Sequence, residues 1–470
     1  MEATLRNPAL YCVAISVGRM SKMEWSKLLS SSRLVENAAN IPDSGLTAFE
    51  KDFDKIIFSS SFRRLKDKTQ VFSLVDNDYI RSRLIHSLEA SCVGRTLGTL
   101  VGKEIIERHL ELKDFEARDF GDIVAAACLA HDIGNPPFGH AGEDAIKEWF
   151  KSPKGSTVLS LLLPGQQEDF KSFEGNAQGF RILTKLQKRP NFCGVQFTCA
   201  TLATFTKYPR EAGINSNLFN QYNSIEGNKS TKKHGFFQDE KDLFAQIANE
   251  VGLIRREQNL AWWCRHPLAF LVEAADDICY HIVNLEDGFR MGYIAYEDAR
   301  MLLSDILVGE NLDGIGYDKK ENIKYWRAKA IHKLITEVKQ VFLDYENEFL
   351  SGDFDSPLTA KIQSGNKLKQ IIDLTRKNVY EACEVVEVKV AGYEVLGGLL
   401  EEFITAIFNK NSSKSSLIKK LIPNLNESDE HSDTYRGILK VTDYVSGMTD
   451  SYAVSLFKKI KGISLPRSGR

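Results

Sequence analysis

Two segments of helical apolar spacing, Phe120–Ala130 and His140–Phe150, are joined by a short turn carrying chemically active side chains, and this junction constrains the chain most. The turn reads His131-Asp132-Ile133-Gly134-Asn135-Pro136-Pro137-Phe138-Gly139-His140, with Glu143 and Asp144 just beyond. Its glycines and prolines favour a tight, rigid bend. A neutral imidazole beside a carboxylate suits a divalent cation. A lone His-Asp pair is ordinarily a helix-end residue beside a cap, so its company matters. Upstream, His86 stands in a long helical run; downstream, Asp276 and Asp277 sit together in an otherwise apolar helix. Unpaired buried charge is expensive, and a cation supplies a reason for it.

The 470 residues exceed the usual single core, so a large domain with peripheral lobes, or two domains, is expected. The net charge of -2 argues against a dedicated nucleic-acid coat or acidic tail. Eight cysteines without a C-x-x-C pair read as reduced thiols, which fits a cytoplasmic location and offers no zinc ribbon. No apolar run reaches the length of a membrane span. Residues 1–22 read as an N-terminal extension, disordered or the product of an early start codon, since Ala9–Val17 lacks a cleavage pattern.

Helical spacing recurs over Ile80–Leu110, Glu174–Leu186, Val195–Phe205, Lys241–Glu250, Pro267–Leu285, Tyr325–Asp344 and Leu368–Val388. Short strand candidates lie at Thr69–Leu74 and Lys233–Phe237, and polar breaks at Lys151–Ser156, Arg210–Lys232, Gly309–Gly316, Ser351–Pro357 and Asn411–Ser432 read as loops. The expected fold is all-α with few short strands.

Six segments, Ser60–Phe72, His131–Asp144, Phe173–Gln178, Thr206–Pro209, Glu273–Tyr280 and Asp443–Asp450, resemble in order the bacterial dGTP triphosphohydrolase family of HD-domain phosphohydrolases. The resemblance implies a catalytic HD core over 23–290 and a C-terminal helical region, 291–470, completing the nucleotide pocket and oligomer contacts. It implies one divalent ion, Mg or Mn foremost with Fe, Co or Zn also suitable, held by His86, His131, Asp132 and Asp276. Asp276 is preferred to Asp277 because it places Tyr280, a substrate-contacting position of the family, one turn on along the same face. His140 and Glu143 match the catalytic pair, Glu143 at i+3 orienting or charging the imidazole.

For the substrate, the resemblance points to Arg83, Asn176, Lys207, Tyr208 and Lys233 at the phosphates. It places Gln70 and Asn284 at the deoxyribose 3'-hydroxyl and Tyr280 against a 2'-hydroxyl; Asn284 stands where relatives often carry Asp. A guanine base calls for a carboxylate beside an arginine, for which Glu402 and Arg436 are candidates, with Tyr393 stacking on the ring. The implied reaction is metal-dependent hydrolysis of dGTP, or other dNTPs, to deoxynucleoside and triphosphate by a homo-oligomer, a hexamer by expectation, with single-stranded DNA as an effector and no membrane. The alternatives are an HD phosphohydrolase acting on monophosphates, cyclic nucleotides or alarmones, and a non-catalytic nucleotide- or single-strand-binding regulator. The Asp443–Asp450 and Thr206–Pro209 segments argue against the first, and His140 with Glu143 against the second.

Overall fold

The computed structural model describes residues 22–34, 45–71, 81–187, 197–214, 229–309, 318–409, 411–423, 425 and 433–464. The expected N-terminal extension falls almost wholly outside them. The architecture is helical: the described residues contain no strand, only isolated bridges pairing Thr69 with Ser82, Arg210 with Trp262 and Arg255 with Trp263. Thr69 thus touches a strand-like partner, whereas Lys233–Phe237 forms none.

At the centre, the His86 helix, Arg83–Arg108, lies along the helix Ala117–Ala130 that ends at His131. Their approach is set by a stripe of glycines at four-residue spacing. A Cβ on Gly94 would lie 2.5 Å from Cys128 Sγ, one on Gly98 2.6 Å from the Phe120 carbonyl, and one on Gly102 2.7 Å from the Phe120 ring. Any side chain there would push the helices apart, and His86 away from His131. The third central helix, Pro267–Arg290, starts with proline at its first turn and His266 as its cap, Nδ1 accepting from Leu268 N at 3.2 Å. Its four-residue spacing puts Asp276, Tyr280 and Asn284 on one face.

Two apolar cores enclose this arrangement. The first gathers Leu97, Phe120, Leu129, Ile278 and Phe342; the second gathers Phe138, Ile146, Phe150, Leu396, Phe403 and Leu439. Residue 290 does not divide them, because Ile323, Leu334 and Leu368 pack into the first. No helix among the described residues is long and apolar enough to cross a membrane, and the six described cysteines are free thiols.

Several boundaries differ from expectation. Lys151–Ser156 is no loop: Ser152 accepts from Gly155 N and caps a new helix, Pro153–Leu159. The run read as Leu368–Val388 breaks: Gly365–Thr375 leads into a wider turn, Arg376–Tyr380, and Ala382, extended at ψ 143°, starts the long helix Cys383–Phe408. The Ile80 and Val195 starts lie outside the described residues; the helices begin at Arg83 and Cys199. Asn411–Ser432 contains the short helix Ser413–Lys419.

Candidate active site

Three helix ends and one helix middle bring the acidic and imidazole groups together. His131 follows directly on its helix, and its Nδ1 donates to the Cys128 carbonyl at 2.6 Å, which leaves Nε2 as the free lone pair. Donor atoms of His86, His131 and Asp132 all lie within 4.8 Å of one another. The two imidazoles meet edge to face, ring centres 5.2 Å apart. Asp276 closes the remaining side: its Oδ1 is 3.0 Å from His86 Nε2 and 3.6 Å from His131 Nε2. Asp277 turns the other way and accepts from Thr359 Oγ1 at 2.7 Å.

Electrostatics separate these carboxylates. Burial works against the charge of Asp276, but the His131 and His86 rings and Lys207 hold it well below the ordinary carboxylate range. Asp132 is likewise opposed by burial, yet Arg83 and the two imidazoles lower it to about 2. Burial and Glu273 push Asp277 up to about 7. Arg83, 4 % exposed, donates to Asp132 Oδ2 at 2.7 Å, and Asn135 donates to Oδ1. Two imidazoles and two carboxylates with one fixed tautomer suit a divalent cation.

The turn after Asp132 is under backbone constraint. Phe138 has φ 62°, rare for a bulky side chain, at a cost of about 1–3 kcal/mol that surrounding contacts must sustain. Its N–H donates to buried Asp450 Oδ1 at 3.0 Å, and its ring packs where a Cβ on Gly392 would come within 3.0 Å. Gly139 follows at φ 58° and ψ -127°, and a Cβ there would meet Arg83 Nη2 at 2.4 Å. His140 then opens the next helix, one edge open to solvent and the rest of its ring enclosed by protein. Burial of its ring surroundings, with Lys233 and Arg83, lowers its pKa.

Glu143 does not turn to His140. It is 3 % exposed, accepts from Gly175 N at 2.9 Å and stands 3.8 Å from Lys233 Nζ, which also donates to Glu174 at 2.8 Å. The expected i, i+3 pair is therefore replaced by a Glu143–Lys233–Glu174 group beside the histidine. Asn176 donates to Glu174 at 2.8 Å. Lys207 pairs with Glu273 at 3.3 Å and lies over the Tyr208 ring, 5.8 Å from its centre.

A cavity of about 190 Å³ lies beside this cluster, lined by Gln70, Arg83, His140 and Tyr280 from one side and by Tyr380, Val385, Val388 and Lys389 from the other. Gln70 Oε1 is buried there without a hydrogen-bond partner among the described residues. Asn284, 5 % exposed, stands behind the wall and donates to Tyr380 Oη at 3.0 Å. The far wall carries no sequence signal for chemistry, since two valines and a lysine on a helix read as packing and a solvated charge.

The base-reading candidates do not meet in this cavity. Glu402 is held by Lys414 at 2.7 Å and Lys461 at 2.8 Å, and Arg436 by Asp433 at 3.4 Å and Asp239 at 3.6 Å. Each has a local ion-pair partner, so the expected Glu402–Arg436 pair is not formed. Tyr393 packs against the second core near Asp144 and Glu148 and is not among the residues that line the cavity.

The HD domain family matches residues 83–190 and the phosphohydrolase-associated domain family matches 363–459. A deoxyguanosinetriphosphate triphosphohydrolase-like protein of Synechocystis is 50% identical, covering 94% of this chain and 100% of the relative. A protein of the same name from Pseudomonas aeruginosa is 37% identical with the same coverage. The deoxyguanosinetriphosphate triphosphohydrolase of Yersinia enterocolitica is 31% identical over 88% of this chain and 93% of its own length.

Proposed function

This chain belongs to the bacterial dGTP triphosphohydrolase family of HD-domain phosphohydrolases, and from that premise we propose that it hydrolyses deoxynucleoside triphosphates, dGTP foremost, to deoxynucleoside and inorganic triphosphate. The observation that carries the proposal is the placement of His140 and Gln70 on one cavity beside the His86, His131, Asp132 and Asp276 cluster. Those four residues would hold one divalent ion, Mg or Mn in preference. When bound, such an ion supplies charge stabilisation at a phosphate oxygen and lowers the pKa of water.

The remaining work falls to the chain. Arg83, whose Nε is buried without a partner among the described residues, lines the cavity and offers that N–H to a phosphate oxygen. Lys233 and Lys207 supply further positive charge, and Asn176 and Tyr208 neutral donors. His140, kept neutral by burial and then by its cationic neighbours, accepts the proton of the attacking water by a ring nitrogen. Glu143 fixes the Gly175 backbone and holds Lys233, so it acts on His140 through that lysine's field. In-line attack at the α-phosphorus breaks the bond to the nucleoside 5'-oxygen and releases triphosphate.

Gln70 Oε1, an acceptor without a donor among the described residues, accepts a hydrogen bond from the 3'-hydroxyl; Tyr280, packed against Tyr380, which Asn284 holds in turn, closes the space a 2'-hydroxyl needs. The test is product analysis with the four dNTPs and GTP in water enriched in oxygen-18. Label in triphosphate, with an unlabelled nucleoside, is expected from the deoxy substrates. Pyrophosphate or single phosphate as first product refutes the proposal.

A further inference from the structure

One buried carboxylate collects donors from two segments distant in sequence. Asp450 begins the helix Asp450–Ile460 and is 1 % exposed. Through Oδ2 it accepts from Thr69 N at 3.1 Å and from Thr69 Oγ1; through Oδ1 it accepts from Phe138 N at 3.0 Å. Gln70 is the next residue after Thr69, and His140 stands two beyond Phe138; both line the same cavity. Lys68, also buried, ties these segments again, donating to the carbonyls of Asn135 and Ser446. The sequence singles out Asp443–Asp450 as a segment without explaining it, and this lacing is what the structure adds.

We propose that Asp450 is a positioning residue that holds Gln70 and His140 as one unit, so that reading of the sugar 3'-hydroxyl and proton transfer at the phosphate depend on the same carboxylate. The proposal rests on the reading of Gln70 and His140 given above. Among the described residues three donors and no acceptor meet the Asp450 carboxylate, which only an acceptor-only group satisfies. An amide there presents an N–H to either Phe138 N or Thr69 N, and one of the two segments is released. Phe138 then loses a contact that sustains its positive φ, and His140 moves with it. Release on the other side lets Gln70 drift from the 3'-hydroxyl.

The test compares wild type with Asp450→Asn for dGTP and 2',3'-dideoxy-GTP, with bound metal measured on the same samples. We expect Asp450→Asn to keep its metal, to lower kcat for dGTP, and to shrink the dGTP-to-dideoxy ratio of kcat/KM about tenfold, the effect of one misaligned hydrogen bond. An unchanged ratio with both substrates slowed equally, or loss of the metal, assigns Asp450 a merely structural role and overturns the proposal. Should Asp450→Asn fail to fold, Thr69→Val and Thr69→Ser decide it. The valine, lacking the hydroxyl donor, should lose discrimination and the serine should restore it; equal ratios in the two overturn the proposal. Failure of the underlying reading shows earlier and separately, in a wild-type protein that releases no triphosphate or does not distinguish the dideoxy analogue.

Discussion

Asp276 and Asp277 are neighbours with different partners: Asp276 Oδ1 lies 3.0 Å from His86 Nε2, while Asp277 Oδ2 accepts from Thr359 Oγ1 at 2.7 Å. Asp276→Asn should therefore release the divalent ion and Asp277→Asn should retain it. His131→Ala and Asp132→Ala should lose metal and turnover together, whereas His140→Ala keeps the metal and loses turnover. Elemental analysis of reloaded protein checks all five variants. Metal retained by Asp276→Asn but lost from Asp277→Asn reverses the assignment.

Gly139→Ala tests the turn. The substitution places a Cβ against Arg83 Nη2 at a backbone conformation suited to glycine, and the strain is about 1–3 kcal/mol. We expect a lower thermal midpoint and a fall in kcat of about tenfold or more, since displaced catalytic groups lose rate steeply. A variant as active and stable as wild type removes this turn from the mechanism.

His140 should act as a base with an acid limb below the ordinary imidazole value of about 6.5. Burial contributes first, then the positive charges of Lys233 and Arg83, all disfavouring imidazolium. Lys233→Gln removes one opposing charge and leaves Glu143 and Glu174 uncompensated, so His140 holds its proton to higher pH. The acid limb of kcat/KM should move upward. A limb that stays in place or moves down rules out this coupling.

Asp169 ties stability to pH. Fully buried, with Glu240 and Glu211 adding to the effect, its carboxyl is pushed up to about 8, although Tyr435 Oη and Gln238 N both donate to it. The unfolded chain releases that proton near pH 3.9, so between about 4 and 8 the folded state holds more protons and stability falls as pH rises. In Asp169→Asn the amide oxygen still accepts both donors without the proton. Its thermal midpoint relative to wild type should improve steadily from pH 5 to 8. A difference independent of pH contradicts the assignment.

The sequence makes the central elements legible where one physical signal dominates. Lys241–Glu250 has the bounds its apolar spacing predicts, and the Asp276, Tyr280 and Asn284 face follows from helical repeat alone. The break before Cys383 is illegible because Val379, Val385 and Val388 continue an apolar period across it while the backbone turns at Ala382. The far cavity wall is illegible for a related reason: its position depends on that turn. Glu402 and Arg436 suit a guanine base by charge type, but nearby lysines and aspartates satisfy both, and side-chain pairing of this kind is decided by packing. Glu143 shows the same limit, since helical spacing places it near His140 but only the Gly175 backbone explains where its carboxylate goes.

The two apolar cores divide the labour of this site. Leu129, Ile133 and Ile278 of the first flank the His131, Asp132 and Asp276 positions, while Phe138, Ala145 and Leu396 of the second carry the turn and helix of His140. The peptide between Ile133 and Phe138 therefore works as a caliper whose jaws are whole hydrophobic bodies. Drift at a buried position such as Leu396, which lies 3.0 Å from where a Cβ on Gly142 would stand, can reset that gap without touching any ligand. Silent loss of turnover in natural variants should accordingly map to the second core, in proteins that still carry every metal-facing residue.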